Sequence, residues 1–233
     1  MRPFAVICAL SGFVLGMLAV TTLCAQWIGL SDTTLPQAQH GVFTLGFVVV
    51  FVPLLAVIVR AFGPLHLGPR TLAAGGCTFL CAVSLEIGLD TLWVRVFGEP
   101  LWLYRVWPVH GGYTSGLGLV LWPMYGAFVH SLHHALKARW PLLHGVAPRA
   151  ALIAVEAMVL EVAANLYGLL SFGCFIFYYT PGDLHHYTSF AVLPPYLAAG
   201  FLGVWVLDRL EHVNYPAVWG LVSWAVAAAI ALA

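Results

Sequence analysis

Five stretches of this chain, residues 3–31, 33–59, 106–136, 184–207 and 212–233, contain no Lys, Arg, Asp or Glu. Each is long enough to cross the hydrocarbon core of a bilayer, which takes about 20 mainly apolar residues in a helix. Backbone groups in hydrocarbon must be satisfied internally, and a helix does this within its own segment. Of 233 residues, 62% are apolar and only 8% charged, against roughly a quarter charged in a soluble domain. A water-soluble globule is excluded. Nine basic residues balance nine acidic ones without a charged tail, so nothing here draws the chain to nucleic acid.

Breaks at Gly, Pro and charge clusters divide the chain into seven helices, near residues 4–29, 41–61, 71–94, 112–136, 149–171, 187–207 and 215–233. The expected fold is all-α, a polytopic transmembrane bundle of about seven helices forming one membrane domain over residues 1–233. Arg2 ahead of the first apolar run resembles the start of a signal peptide, but the run exceeds the usual signal core, so a retained helix is expected. With a cytoplasmic amino terminus, Arg2, Arg60, Arg70, Lys137, Arg139, Arg149 and Arg209 fall inside and only Arg95 and Arg105 outside. Basic residues near helix ends stay in the cytoplasm, which predicts that orientation and an external carboxyl terminus. Eight arginines to one lysine point to a prokaryotic cytoplasmic membrane. The five cysteines read as small apolar packing residues.

The chain also resembles itself. Leu85-Glu86 recurs as Leu160-Glu161, Asp90 as Asn165, Phe97-Gly98 as Phe172-Gly173, Tyr104 as Tyr179 and His110 as His185, all 75 residues apart. Tyr113-Thr114-Ser115 returns as Tyr187-Thr188-Ser189 at an offset of 74, and Pro123-Met124-Tyr125 as Pro194-Pro195-Tyr196 at about 71. Two hairpin units are therefore expected, about residues 71–136 (helices three and four) and 149–207 (helices five and six), in the same orientation. Each has an outward helix carrying a Glu, an aromatic external loop and an inward helix beginning Tyr-Thr-Ser. Preserved packing explains the glycines and aromatics but not the acids.

An acid at mid-membrane costs on the order of 3 kcal/mol, so it marks a functional site. Glu86 with Asp90, and Glu161 with Asn165, are i,i+4 pairs that stack on one helix face. These four are the candidate catalytic residues, Glu86 lying roughly two-thirds of the way outward and Glu161 nearer the middle. A carboxyl group in hydrocarbon resists ionisation, so one Glu keeps a proton to donate while a neighbouring carboxylate acts as base. Glu86 with Asp90 is expected to donate, and Glu161 with Asn165 to supply the polar or basic partner. Glu156 falls about 140° around the helix from Glu161, so it faces elsewhere and reads as a helix contact or a residue of an inner cavity.

Trp102, Tyr104, Phe177 and Tyr179 in the loops are candidate substrate-binding residues, since aromatic faces stabilise cations. His110 and His185, each 24 residues after its Glu, are expected to contact the acids or a polar group of the substrate. If the loops fold inward, the same two histidines with Glu86, Asp90, Glu161 and Asn165 would form an oxygen-nitrogen metal shell, which leaves a metal-dependent membrane oxidoreductase as an alternative. His130-Ser131-Leu132-His133-His134 reads as a solvated helix end.

Glu161 followed by Phe172-Gly173-Cys174-Phe175-Ile176-Phe177 is similar to the pattern of membrane carotenoid-biosynthesis proteins of the bisanhydrobacterioruberin or carotenoid hydratase kind, and Glu86, Phe97-Gly98, Trp102 and Tyr104 form a looser copy. The resemblance covers one hairpin in each unit, and Phe175 and Phe177 stand where that pattern has Tyr. It implies an enzyme that hydrates or cyclises an isoprenoid double bond through a carbocation. The expected partner is a lipid-soluble small molecule within membrane lipid, and no cofactor or metal is assigned; protein partners are not specified. A small proton-coupled transporter is the other alternative. A retinal-binding protein is excluded because the single lysine, Lys137, lies at a helix end.

Overall fold

A computed structural model describes residues 3–233, with side chains of the first helix from Cys8 onward; Arg2 of the orientation count lies outside the described residues. Seven α-helices occur among them: α1 (Pro3–Ile28), α2 (His40–Phe62), α3 (Pro69–Phe97), α4 (Gly118–Arg139), α5 (Val146–Phe172), α6 (Leu193–Leu210) and α7 (Pro216–Leu232). Five helical segments, Cys8–Ile28, Gln37–Phe62, Pro69–Phe97, Val146–Phe172 and Phe190–Leu210, are long and apolar enough to cross a membrane. This is a membrane protein by the length and composition of those helices. The second half of α4 carries His130, Ser131, His133, His134, Lys137 and Arg139, which keeps it outside that group. The 17 residues of α7 reach about 25 Å, less than the roughly 30 Å of a hydrocarbon core.

α3 packs on α4 and α5 on α6; α7 lies along α3, α2 against α4 and α1 against α5. Two local devices fix the α3, α4 and α7 group. Gly76 and Gly220 bring the backbones of α3 and α7 into direct contact, leaving no room for a Cβ on either. Pro123 inside α4 cannot donate to the Leu119 carbonyl, and Trp224 Nε1 of α7 donates to that oxygen at 3.1 Å instead. Where α5 begins and α6 ends, Arg149 forms a bidentate pair with Asp208, at 2.8 and 2.7 Å.

The segments between α3 and α4 and between α5 and α6 are not plain loops. Strands β1 (Trp102–Tyr104), β2 (Pro108–Val109), β3 (Thr114–Ser115) and β4 (Phe177–Tyr179) form two short ribbons that the hydropathy pattern does not predict. β1 pairs antiparallel with β4, and Leu103 faces Tyr178 at the centre of the ribbon. Those two residues are themselves 75 apart, so the local two-fold axis of the ribbon passes between matching positions of the sequence. Because residues 114–115 form β3 and the 3₁₀ turn Phe190–Val192 precedes α6, both inward helices start about six residues later than expected. Phe97-Gly98 and Phe172-Gly173 are the ends of α3 and α5, each closed by glycine in the left-handed region, at φ 85° and 67°. Arg105, expected outside, is paired with Asp32.

Enlarging Gly76 should separate α3 from α7. Gly76→Leu is predicted to lower stability by about 1–3 kcal/mol, read as a fall in the midpoint of thermal unfolding in detergent, whereas Gly88→Leu, where nothing lies within reach of an added Cβ, should leave the midpoint nearly unchanged.

Candidate functional site

Glu86 and Glu161 sit at equal depth, each twelve residues before the glycine that closes its helix. This corrects the expectation that Glu161 lies deeper; α3 and α5 run further than their hydropathy boundaries. Both are buried, at 6% and 8% exposure, and both line one cavity of about 500 Å³ enclosed by α2 to α6 and the β1–β4 ribbon. That volume lies within the range of small-molecule sites.

The carboxyl groups are held in the same way. Tyr104 Oη donates to Glu86 Oε1 and Thr114 Oγ1 to Glu86 Oε2, the latter at 2.6 Å. Tyr179 Oη donates to Glu161 Oε1 and Thr188 Oγ1 to Glu161 Oε2, again at 2.6 Å. Burial pushes the Tyr104 and Tyr179 phenols well above their ordinary range, and the adjacent Glu charge adds to this, so both remain donors. In a strand alternate residues share a face, which turns Trp102 and Tyr104 of β1 and Phe177 and Tyr179 of β4 into the cavity while Leu103 and Tyr178 face away. Tyr104 meets Phe177 edge-on at 5.5 Å.

The two carboxyl groups differ at a third donor. Tyr196 Oη donates to Glu161 Oε1 and lies 3.0 Å from Tyr179 Oη. Its counterpart Tyr125 lines the cavity but donates to the Ile153 carbonyl at 3.5 Å, so Glu86 has two hydroxyl donors where Glu161 has three. Trp122 Nε1 is buried beside the cavity with no partner among the described residues.

Asp90 and Asn165 are buried but do not reach the cavity. Asp90 Oδ1 accepts from Leu101 N at 2.7 Å and Trp102 N at 3.4 Å. Asn165 Oδ1 accepts from Ile176 N at 2.9 Å and Phe177 N at 3.2 Å, and its Nδ2 donates to the Phe177 and Tyr187 carbonyls at 2.9 and 2.8 Å. They position the strands that carry the aromatics. The catalytic expectation for this pair is corrected accordingly: they act through the loops and face no substrate space.

His110 and His185 are also carried elsewhere. His110 Nε2 donates to the Ile230 carbonyl of α7 at 2.6 Å, and His185 Nε2 pairs with Thr22 Oγ1 of α1 at 3.1 Å. Both adopt left-handed backbone, φ 51° and 52°, so their spacing reflects matching turns. The six-residue metal shell is not assembled, and among the described residues no three His, Cys, Asp or Glu side chains converge as one. Thr114, Thr188 and Tyr196 were missed as site residues although all three lie in the matched segments. Ser115 and Ser189, the next positions, accept from Leu117 N and Ala191 N, each at 3.0 Å, and turn the chain into the inward helix.

Along α6 the cavity runs from Tyr196 to Leu207, about 16 Å at 1.5 Å per residue, with the carboxyl groups near its outer end. Leu85 of α3 and Leu202 of α6 line it yet are 44% and 39% exposed, so it breaks onto the lipid-facing surface between these helices. No protein family, curated protein or solved structure matches this chain.

Replacing Asp90 separates positioning from chemistry. Asp90→Ala leaves the Leu101 and Trp102 amides without an acceptor and should cost about 1–3 kcal/mol, whereas Asp90→Asn keeps the acceptor and imitates Asn165. The check is thermal unfolding: a large drop for Ala and a change of less than about 1 kcal/mol for Asn.

Proposed function

We propose that this chain is an integral-membrane enzyme carrying out acid-base, carbocation-type chemistry (hydration, cyclisation or isomerisation) on a linear, lipid-soluble isoprenoid of the carotenoid kind. The carrying observation is that two buried carboxyl groups, each gripped by a Tyr and a Thr hydroxyl, face one elongated apolar cavity that opens to lipid. Such a cavity admits a linear chain from the bilayer and brings its end to the acids. We read the α3–α4 and α5–α6 hairpins as duplicated units and all seven helices as crossings, with the amino terminus cytoplasmic. The ends of α2, α4 and α6 and the starts of α3 and α5 put Arg60, Arg70, Lys137, Arg139, Arg149 and Arg209 on one side, which supports that orientation.

Glu161, with three hydroxyl donors, is the better satisfied as a carboxylate and is assigned as base; Glu86, with two, is assigned as acid. A hydroxyl can turn from donor to acceptor, so Thr114 accommodates the acid form. Glu86 delivers its proton to a carbon–carbon double bond and becomes a carboxylate. The cation that forms on the substrate is stabilised by the faces of Trp102, Tyr104, Phe177 and Tyr179 and by the Glu161 charge. Glu161 then removes a proton, either from the adjacent carbon to form a shifted or cyclised alkene, or from a water molecule adding to the cation. Substrate and product differ by nothing or by one water, and the carboxyl groups must exchange a proton before the next turnover.

The test supplies acyclic polyenes to purified protein in D₂O. One deuterium on carbon is expected in the product. Glu86→Gln and Glu161→Gln should each reduce turnover by at least ~10²-fold with the unfolding midpoint retained; near-full activity in both would sink the assignment.

A further inference from the structure

Beside the inner half of the cavity, whose lining on α5 includes Ile153 and Ala157 on either side of Glu156, α4 and α5 bury a second acid-base pair that the proposed chemistry does not use. His133 Nε2 lies 3.4 Å from Glu156 Oε1, with side chains 3% and 10% exposed. Apart from that contact, both Glu156 oxygens and both His133 ring nitrogens are buried without a hydrogen-bond partner among the described residues. Their neighbours along the two helices, Leu132, Leu136 and Ile153, belong with Val204 to one apolar core cluster. Four unsatisfied polar atoms in such a place are a poor structural tether, since an apolar pair of similar volume would pack there at lower cost.

Their placement gives them a direction. Tyr125, two turns before His133 on α4, lines the cavity, and its hydroxyl sits at the Ile153 carbonyl. Glu156 is three residues after Ile153 on the same face of α5, beside that hydroxyl. On the other side, Lys137 follows His133 by one turn and Arg149 precedes Glu156 by two, both paired with the half-exposed Asp208. A column of polar groups thus runs from the half-exposed Lys137–Asp208 pair, with the buried Arg149 beside it, through His133, Glu156 and Tyr125 to the cavity. On the outer side Leu101, Phe175, Ile176 and Leu184 are fully buried, and Asp90 Oδ2, one turn beyond Glu86, and Tyr187 Oη are buried polar atoms without a partner among the described residues.

We propose that His133, Glu156 and Tyr125 form a proton relay joining the cavity carboxyl groups to the side of the membrane at which α4 ends. A proton taken up on the His133 ring passes to the Glu156 carboxylate, leaving neutral imidazole and a carboxylic acid. Glu156 passes it to the Tyr125 oxygen as the Tyr125 proton moves into the cavity, and the three groups return to their starting state. No atom or electron is gained or lost. The unpartnered atoms are those that ordered water, needing two to four polar partners, would join. The proposal rests on Glu86 and Glu161 exchanging protons during turnover, but the relay itself needs no substrate.

The experiment follows hydrogen–deuterium exchange of the cavity carboxyl groups by infrared spectroscopy, using full-length protein in phosphatidylcholine vesicles transferred to D₂O. Bands are assigned with Glu86→Gln and Glu161→Gln. Glu156→Gln should slow exchange at least tenfold, within the ~10²–10⁴ contributed by a positioned proton-transfer group, and Glu156→Asp should restore most of it. His133→Gln provides a second variant should Glu156→Gln fold poorly, and it is expected to slow exchange to a similar degree. Exchange at the wild-type rate in the folded variants overturns the relay. So does equal slowing in Glu156→Asp and Glu156→Gln, which would mark a shape effect, or cavity bands that never exchange in the parent protein. Failure of polyene turnover with the exchange pattern intact would instead strike only the substrate reading.

Discussion

A carboxyl group in hydrocarbon must find hydrogen-bond partners or leave, and in this protein that requirement shapes everything between the helices. Neither α3 nor α5 can satisfy its Glu from its own backbone, so the partners come from the loops. Tyr104 and Thr114 return to Glu86, and Tyr179 and Thr188 to Glu161. For this the chain after each helix must re-enter the bundle, which explains why those segments are short strands with buried residues. Asp90 and Asn165 complete the arrangement one turn further on, where they accept from the amides that begin β1 and β4. The glycines at 98 and 173 make the reversal sharp enough for the strands to reach back.

The consequence is an apolar cavity with polar groups confined to chosen places. Its walls are helix side chains, its outer end is the aromatic face of the β1–β4 ribbon, and its lateral opening lies between α3 and α6. The two carboxyl groups are similar in depth and support but not in surroundings, since Tyr196 adds a donor to Glu161 while Tyr125 turns toward Ile153. Each additional donor favours the ionised form, so Glu161 is better satisfied as a carboxylate than Glu86. The same difference frees Tyr125 to stand between the cavity and the His133–Glu156 pair.

Much of this was legible in the amino-acid order. Charge-free runs mark the helices, and the spacing of Glu and Tyr marks contacts that recur 75 residues apart, because one helix length and one loop length return the same side chains to the same place. Periodicity did not reveal the strands: three-residue pairings made entirely of apolar and aromatic residues carry no alternation that distinguishes them from a membrane-interface belt. The role of Asp90 was hidden for a different reason. An acid four residues from another acid shares its helix face, but whether it meets substrate space or a backbone amide depends on where the loop lands. The histidines misled in the same way, matching through turn conformation at His110 and His185 while their rings reach α7 and α1. The angle of Glu156 from Glu161 leaves a helix contact or an inner cavity open, and only the fold places it opposite His133.

The central claim is that Glu86 and Glu161 close on one substrate end inside a shared cavity. A density map of the protein with a bound acyclic polyene tests it most directly. The account predicts a continuous chain along α6 from Leu207 toward Tyr196, terminating between the two carboxyl groups. Density that avoids the cavity, or carboxyl side chains turned apart toward lipid, would contradict it.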